Sequence, residues 1–332
     1  MIEHQPSISP TQSETKKVSI QERSVHVGDF IVVNGYRVNR TLLKERFAEG
    51  GYQAHETKHF LLFMRVEEPR IILVHWFAPE EMDANVQHYL TRELKPYNIV
   101  TASYQFGELV SGVVGSLFPD DTRRAWSYFG ANTLQRYLTF LATAYTPSLP
   151  DYATIGMFAT LYQRVCELRV GETFLDAGCA SGFLPLLLAE RIPFLEEIVG
   201  IDIQADEFEV ASKLAKEREF THVRFAQANL LDDRFALVGI FDTVVALHVL
   251  EHFSEADMYP VLLNLLRVTS KRLIVAVPYE QVEPEVAYGH QQLFTRTKLE
   301  AVGNWCLQQI GGGRIWCEDC VGGLLLLEKS FS

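Results

Sequence analysis

Thr173-Phe174-Leu175-Asp176-Ala177-Gly178-Cys179-Ala180-Ser181-Gly182 decides how the rest of this 332-residue chain is read. Thr173–Leu175 is a short apolar run, which predicts a buried strand. It passes into Asp176, then Gly178 and Gly182, then the apolar run Phe183–Ala189, which predicts a helix. Strand, small-residue loop and helix are how an open α/β sheet builds a nucleotide site. The glycines let the backbone approach the ligand, and the helix N-terminus presents unpaired N–H groups. No Gly-Lys-Ser/Thr follows to hold a triphosphate, and Asp-x-Gly-x-x-x-Gly is not the usual dinucleotide spacing. An ordinary strand-to-helix turn is the alternative reading.

Downstream the alternation is regular. Ile198–Ile203, Val223–Ala228, Thr243–Leu247 and Arg272–Val277 read as strands, with helices over Asp206–Glu219, Ser254–Val268 and Thr297–Gln308. Ser254 and Asp257 form a capping-box-like start. Two last strands are expected near Arg314–Asp319 and Leu324–Glu328, split by Gly322-Gly323. Such alternation implies a mostly parallel doubly wound sheet, with a closing hairpin that adds an antiparallel strand at its edge.

Upstream, residues 1–27 are polar and read as a disordered tail. Residues 28–100 read as a small α/β unit: a strand at Phe30–Val33, a helix at Thr41–Ala48, a hairpin of Phe60–Val66 and Ile71–Trp76, and a helix over Pro79–Leu94. Residues 101–168 read as a helical linker or cap, with an apolar stripe in Asp121–Ala144, breaks at Pro147 and Pro150, and a helix over Ala153–Leu168. These helices either cover an acceptor pocket or simply pack on the sheet edge. The nucleotide domain then occupies 169–332.

Composition narrows the function classes. With 48% hydrophobic and 22% charged residues the chain is ordinary for a soluble globular protein. A net charge of −12 disfavours a general nucleic-acid binder, though it leaves room for a local basic groove. Five scattered cysteines do not suggest a disulfide framework and favour a reducing cytoplasm. The N-terminus has no apolar signal core, and no run approaches the roughly 18 apolar residues of a membrane span.

The chemistry collects at strand ends. Asp202 ends the second strand about twenty residues past the glycine loop, where a carboxylate can accept both ribose hydroxyl protons; capping the next helix is its other reading. The fourth strand delivers Phe241-Asp242-Thr243-Val244, then Leu247-His248-Val249-Leu250-Glu251-His252. His248…Glu251-His252 spells a reversed zinc-peptidase signature, but that chemistry wants a continuous helix, and this segment leaves a strand. After the fifth strand, Val277–His290 is a loop whose Tyr279, Glu280, Tyr288 and His290 could meet an acceptor's hydroxyls. Cys317-Glu318-Asp319-Cys320 is a lone C-x-x-C, which lacks two further zinc ligands unless Cys306 approaches.

Asp176…Gly182 resembles motif I of class I S-adenosylmethionine (SAM) methyltransferases, and Phe241-Asp242-x-Val244 with Leu250-Glu251-His252 resembles a second hallmark of that family. The resemblance covers about residues 150–330. It implies a Rossmann-like doubly wound α/β sheet of seven strands with an antiparallel last hairpin, plus an extra N-terminal α/β and helical region. By resemblance, Asp176, Gly178, Cys179, Ala180, Ser181 and Gly182 hold the amino-acid end of SAM, Asp202 the ribose, and Asn229 with Leu230 the adenine, with Ile203 and Leu247 as further cofactor-binding candidates. Asn229 stands where an acidic or amide residue is usual, and a plain turn role is its alternative. Ala180 replaces a frequent glycine; alanine tolerates most backbone conformations except positive φ, so the departure reads as mild.

In metal-dependent relatives that methylate ubiquinone precursors or small-RNA ends, an acidic residue and a later Glu-His hold a divalent ion. The resemblance puts His248, Glu251 and His252 at those positions, with His290 as fourth ligand and His248 replacing a carboxylate. That donor set suits Zn, Mn, Fe or Ni better than Mg. The same residues have metal-free roles as catalytic bases or in packing. Val275–Glu280, Tyr288-Gly289-His290, Gly303-Asn304-Trp305, Gly322–Leu325 and Trp126–Leu134 further resemble mycofactocin oligosaccharide methyltransferases. The expected activity is O-methylation of a sugar or other small polyhydroxylated acceptor, with SAM as cofactor and with or without a metal. An N- or C-methyltransferase and a non-catalytic SAM-binding scaffold are the alternatives. A glycan or small-molecule acceptor and a homodimer partner are expected; a membrane or nucleic acid is not.

Overall fold

Runs of Val, Leu, Ile and Phe bounded by Gly and Asp produce two sheets in the computed structural model. It describes residues 24–36, 38–65, 68–143, 154–206, 208–280, 282, 284–285 and 288–330. Of the expected tail, residues 1–23 lie outside this description, as do Val66, Glu67 and the breakers Pro147 and Pro150.

The N-terminal unit contains β1 (Ser24–Val27), β2 (Phe30–Asn34), helix α1 (Arg40–Glu49), β3 (Gln53–Glu56), β4 (Phe60–Arg65) and β5 (Glu68–His75). They form a five-stranded sheet in the order β1-β2-β5-β4-β3, with β2 and β5 parallel and the other pairs antiparallel. Ser24–Val27 pairs with Val33–Phe30, so strand structure starts inside the stretch expected to be tail.

The helix expected over Pro79–Leu94 is interrupted. Pro79–Glu81 is a 3-10 turn, and α2 begins only at Asn85 and runs to Leu94. The Asn132 side chain takes the carbonyls of Pro79 and Met82 at 2.8 and 3.0 Å, and Asp83 Oδ1 accepts from Asn85 N at 2.9 Å. Met82 is extended, at φ −78° and ψ 105°, and the helical ladder stops there. An unexpected helix, α3 (Ser103–Gly115), follows and lies on β1 and β2 through Phe106, Leu109, Val110, Val113 and Val114. Helices α4 (Thr122–Thr143) and α5 (Thr154–Leu168) lead to the second sheet.

That sheet comprises β6 (Thr173–Ala177), β7 (Glu197–Asp202), β8 (Val223–Gln227), β9 (Phe241–Leu247), β10 (Thr269–Val277), β11 (Gly313–Asp319) and β12 (Gly323–Lys329). Helices α6 (Phe183–Arg191), α7 (Glu209–Glu217), α8 (Glu255–Val268) and α9 (Arg296–Ile310) alternate with its strands. The order is β11-β12-β10-β9-β6-β7-β8; the five inner and right-hand strands are parallel, and the closing hairpin is antiparallel. This is the doubly wound sheet that the alternation implies, with the seven strands and antiparallel last hairpin that the resemblance to class I methyltransferases implies. Helix α7 is shorter than Asp206–Glu219 because Glu219 turns into the left-handed region at φ 58°. Strand order reverses between β6 and β9, which opens a crevice at the carboxyl ends of the strands.

One apolar core joins the two sheets. Leu62 and Leu73 of the first sheet, Leu109 and Val113 of α3, Phe129 and Tyr137 of α4, and Phe183 and Leu187 of α6 belong to a single buried cluster. Each such side chain contributes roughly 1.5–3 kcal/mol by leaving water, so the N-terminal elements are fixed against the crevice.

Candidate active site

Strand β6 ends in Asp176, which is only 4% exposed and sits beside Asp202; burial first, and that neighbouring charge second, push its carboxyl up to about 8. The loop then folds back on β7. Gly178 N and Cys179 N both donate to Ile201 O at 2.8 Å, and Ala180 N donates to Asp202 Oδ2 at 2.9 Å. Gly182 enters α6 at φ 68°, and a Cβ there would lie 2.6 Å from Ala211 Cβ and from the Phe225 ring. Both the angle and the space therefore require glycine.

Ala180 departs from expectation. Its φ is 42°, in the left-handed region that alanine disfavours, so the absent glycine is a strained substitution and not a mild one. Strain of this kind costs about 1–2 kcal/mol, against about 0.4–1 kcal/mol lost when glycine enlarges the unfolded ensemble. Ala180→Gly is therefore expected to hold or slightly raise Tm; a clear drop in calorimetry would contradict the reading of this loop.

Asp176, Gly178, Cys179, Ala180, Ser181 and Leu247 line a cavity of about 500 Å³ together with His248, His252 and His290. Gly182, Asp202, Ile203, Asn229 and Leu230 do not; they stand at the carboxyl ends of β7 and β8 and the start of α6. Asp202 accepts from Gln204 N at 3.1 Å as well as from the loop. Ile203 presents an apolar side chain to solvent, 57% exposed. Asn229 Oδ1 accepts from Leu231 N at 2.9 Å, the plain turn role, and Leu230 is buried with its carbonyl taken by Asn264.

At the end of β9 the chain turns sharply. His248 has φ 55°, and Leu250–His252 is a single 3-10 turn, which excludes the continuous helix of a reversed zinc-peptidase motif. The turn is stapled to the following loop: Gln291 N donates to Glu251 O and Gln291 Nε2 to His252 O, both at 2.7 Å. Gln292 Nε2 reaches Leu250 O and Phe253 O at 3.0 and 2.9 Å. These bonds set the His252 and His290 rings 5.1 Å apart, edge to face.

Glu251, His252 and His290 each bring a donor atom within 4.8 Å of the others, the one such cluster among the described residues. Glu251 is fully buried and both its carboxylate oxygens lack a hydrogen-bond partner, a costly arrangement unless a cation or proton balances it. His252 Nδ1 donates to Gly289 O at a long 3.4 Å, and His290 Nδ1 pairs with Glu280 Oε1 at 2.6 Å. Those partners define tautomers that leave Nε2 of each ring as the lone-pair atom. His248 stands outside the cluster: its Nδ1 is 3.2 Å from Glu251 Oε1, and its Nε2 is buried without a partner.

The loop residues divide. Glu280, Tyr288 and His290 line the cavity, whereas Tyr279 turns away and packs on Gly323 of β12. Cys317 and Cys320 gain no third donor; Cys306 is buried in the core under α9, its thiol pushed up to about 12 by burial. Sequence reasoning missed the wall opposite the histidines, where Gln87 and His88 of α2 and Met157, Phe158 and Tyr162 of α5 line the cavity. No local motif marks them, because they come from elements at least 90 residues from His252 in the chain.

Residues 168–319 match the family model described as "Methyltransferase domain". The chain is 29% identical over 92 residues to the uncharacterized methyltransferase YcgJ of Bacillus subtilis, which is 28% of this chain and 35% of that protein. It is 35% identical over 65 residues to the 2-phytyl-1,4-naphtoquinone methyltransferase of Trichormus variabilis, 19% of this chain and 28% of that one. The aligned stretches thus span about a third of the length of these curated relatives. Among solved structures, an O-methyltransferase family protein from Burkholderia thailandensis superposes with TM-score 0.45 at 17% identity, over 76% of this chain and 71% of that one. The methyltransferase domain of bacterial CtHen1 gives TM-score 0.41 at 20% identity, over 52% and 99%. The family match and the strand order mark residues 168–319 as a methyltransferase domain.

Proposed function

We propose that this chain is a SAM-dependent O-methyltransferase acting on a hydroxyl of a sugar, an oligosaccharide of the mycofactocin type, or a similar small polyhydroxylated acceptor. One observation carries the reading: residues 178–181 of the glycine loop after β6 line the same cavity as His252 and His290, behind which Glu251 is buried. Asp176 and residues 178–182 take the amino-acid end of SAM, Asp202 the ribose, and Asn229 with Leu230 the adenine. The acceptor oxygen attacks the sulfonium methyl carbon in line, the C–S bond breaks, S-adenosylhomocysteine leaves, and the hydroxyl proton passes to His252 Nε2.

In place of the base role, buried Glu251, which lacks a hydrogen-bond partner and has His248 Nδ1 3.2 Å from Oε1, together with the two Nε2 atoms fits a divalent cation, and the donor set favours Zn, Mn, Fe or Ni. When bound, such an ion supplies Lewis acidity that lowers the acceptor hydroxyl's pKa. Five free cysteines fit a reducing cytoplasm. Among the described residues no helix is long and apolar enough to cross a membrane.

Methyl-labelled SAM incubated with purified protein and fractionated neutral glycans, with chelator or with added divalent metal, tests the reading. Label is expected in a glycan fraction, and more of it with metal. Label confined to amines or carbon acids would replace the O-methyltransferase by an N- or C-methyltransferase.

A further inference from the structure

The N-terminal elements contribute a wall to this cavity through α2. Ala84, Gln87 and His88 line it, a spacing that sets all three on one helix face. Gln87, Thr91 and Lys95 continue at four-residue steps as a stripe along α2 and its C-cap. Two members of the stripe hold the loop that carries His290. Thr91 Oγ1 hydrogen-bonds the Tyr288 hydroxyl at 2.9 Å, and Lys95 Nζ pairs with Glu285 Oε2 at 2.9 Å. Tyr288 and Glu285 line the cavity beside His252 and His290, so Gln87, one turn further along, faces the same space.

We infer that Gln87 and His88 form an acceptor subsite for a neutral, hydroxyl-rich ring, and that the N-terminal unit is the specificity element of the enzyme. The inference rests on the acceptor reading above. An amide and a neutral imidazole both donate and accept, which matches hydroxyls that do the same. Burial and the neighbouring Arg92 hold His88 below the usual imidazole range, so this wall carries no charge near neutral pH. The carboxylates across the cavity already have partners, Glu285 with Lys95 and Glu280 with His290. A charged acceptor would leave water for a wall without a counter-charge. Met157 and Phe158 of α5 offer an apolar surface to the C–H face of a sugar ring.

Steady-state methylation of methyl β-glucoside, cellobiose, glucosamine and glucuronate separates the possibilities, with wild type, Gln87→Ala, His88→Ala and Gln87→Glu run side by side. The alanine variants are expected to raise KM for the neutral sugars about tenfold, the value of one hydrogen bond to a bound hydroxyl, with kcat, SAM affinity and Tm almost unchanged. Gln87→Glu, nearly isosteric, is expected to shift preference toward glucosamine. Unchanged KM in every variant, or SAM affinity falling in parallel, overturns the subsite while leaving the acceptor reading intact. A wild-type enzyme that methylates none of these sugars overturns both.

Discussion

His252→Ala is expected to lower methyl transfer by about 10²–10⁴-fold, the range that a positioned proton acceptor supplies, while changing the SAM dissociation constant less than about twofold. The division follows from position. His252 lies in the 3-10 turn after β9, on a different element from Asp176 and residues 178–181, to which the proposal assigns the amino-acid end of SAM, and all of them line one cavity. Its Nδ1 is committed to Gly289 O, which leaves Nε2 to take a proton or hold a cation. Glu251→Gln separates those two roles: it keeps the shape, removes the buried charge and should abolish any dependence on added metal. Turnover by rapid-quench assay and SAM binding by calorimetry measure the two sides; equal turnover in His252→Ala would remove the residue from the chemistry.

SAM affinity is expected to rise with pH up to about 8 and then level off, by as much as about tenfold per unit, and Asp176→Asn is expected to abolish that slope. Burial and the charge of Asp202 keep the Asp176 carboxyl protonated near neutrality in the free protein. The cationic groups of SAM favour the carboxylate, so binding below pH 8 releases a proton. For the free fold the direction is opposite. A carboxyl with pKa 3.8 in the unfolded chain and about 8 in the folded one stabilises fully below 3.8, and this contribution is lost as pH rises through 8. Asp176→Asn should therefore gain Tm relative to wild type as pH rises across that window while binding SAM poorly. Parallel Tm curves for the two proteins would show that Asp176 is not the group that titrates.

The C-terminal sheet was legible because its strands are apolar runs bounded by Gly and Asp, and its candidate site because most of the residues assigned to it sit at strand ends in sequence order. Asp176, Asp202 and Glu251-His252 could be placed from register alone. The spacing of Phe106, Leu109, Val110, Val113 and Val114 did contain the helical signal of α3, but two glycines and a run of valines obscured it. Strand β3 is polar and at a sheet edge, so no alternation marks it. At the break before α2, Asn132 from about fifty residues away takes two carbonyls, and no local rule reports a partner at that distance. The positive φ of Ala180 is likewise imposed by the loop folding back onto β7, which a residue type alone does not disclose. The resemblance put His248 among the candidate metal ligands, yet the sharp turn at its own backbone leaves it beside Glu251 and outside the three-donor cluster.

A crystal structure with bound S-adenosylhomocysteine tests the central claim most directly, because the sulfur marks where the methyl group departs. The expected result places the amino-acid end against Asp176 and residues 178–182, with the sulfur facing the cavity on the side of His252 and His290. A sulfur that points away from those histidines, or a ligand bound elsewhere on the chain, would contradict it.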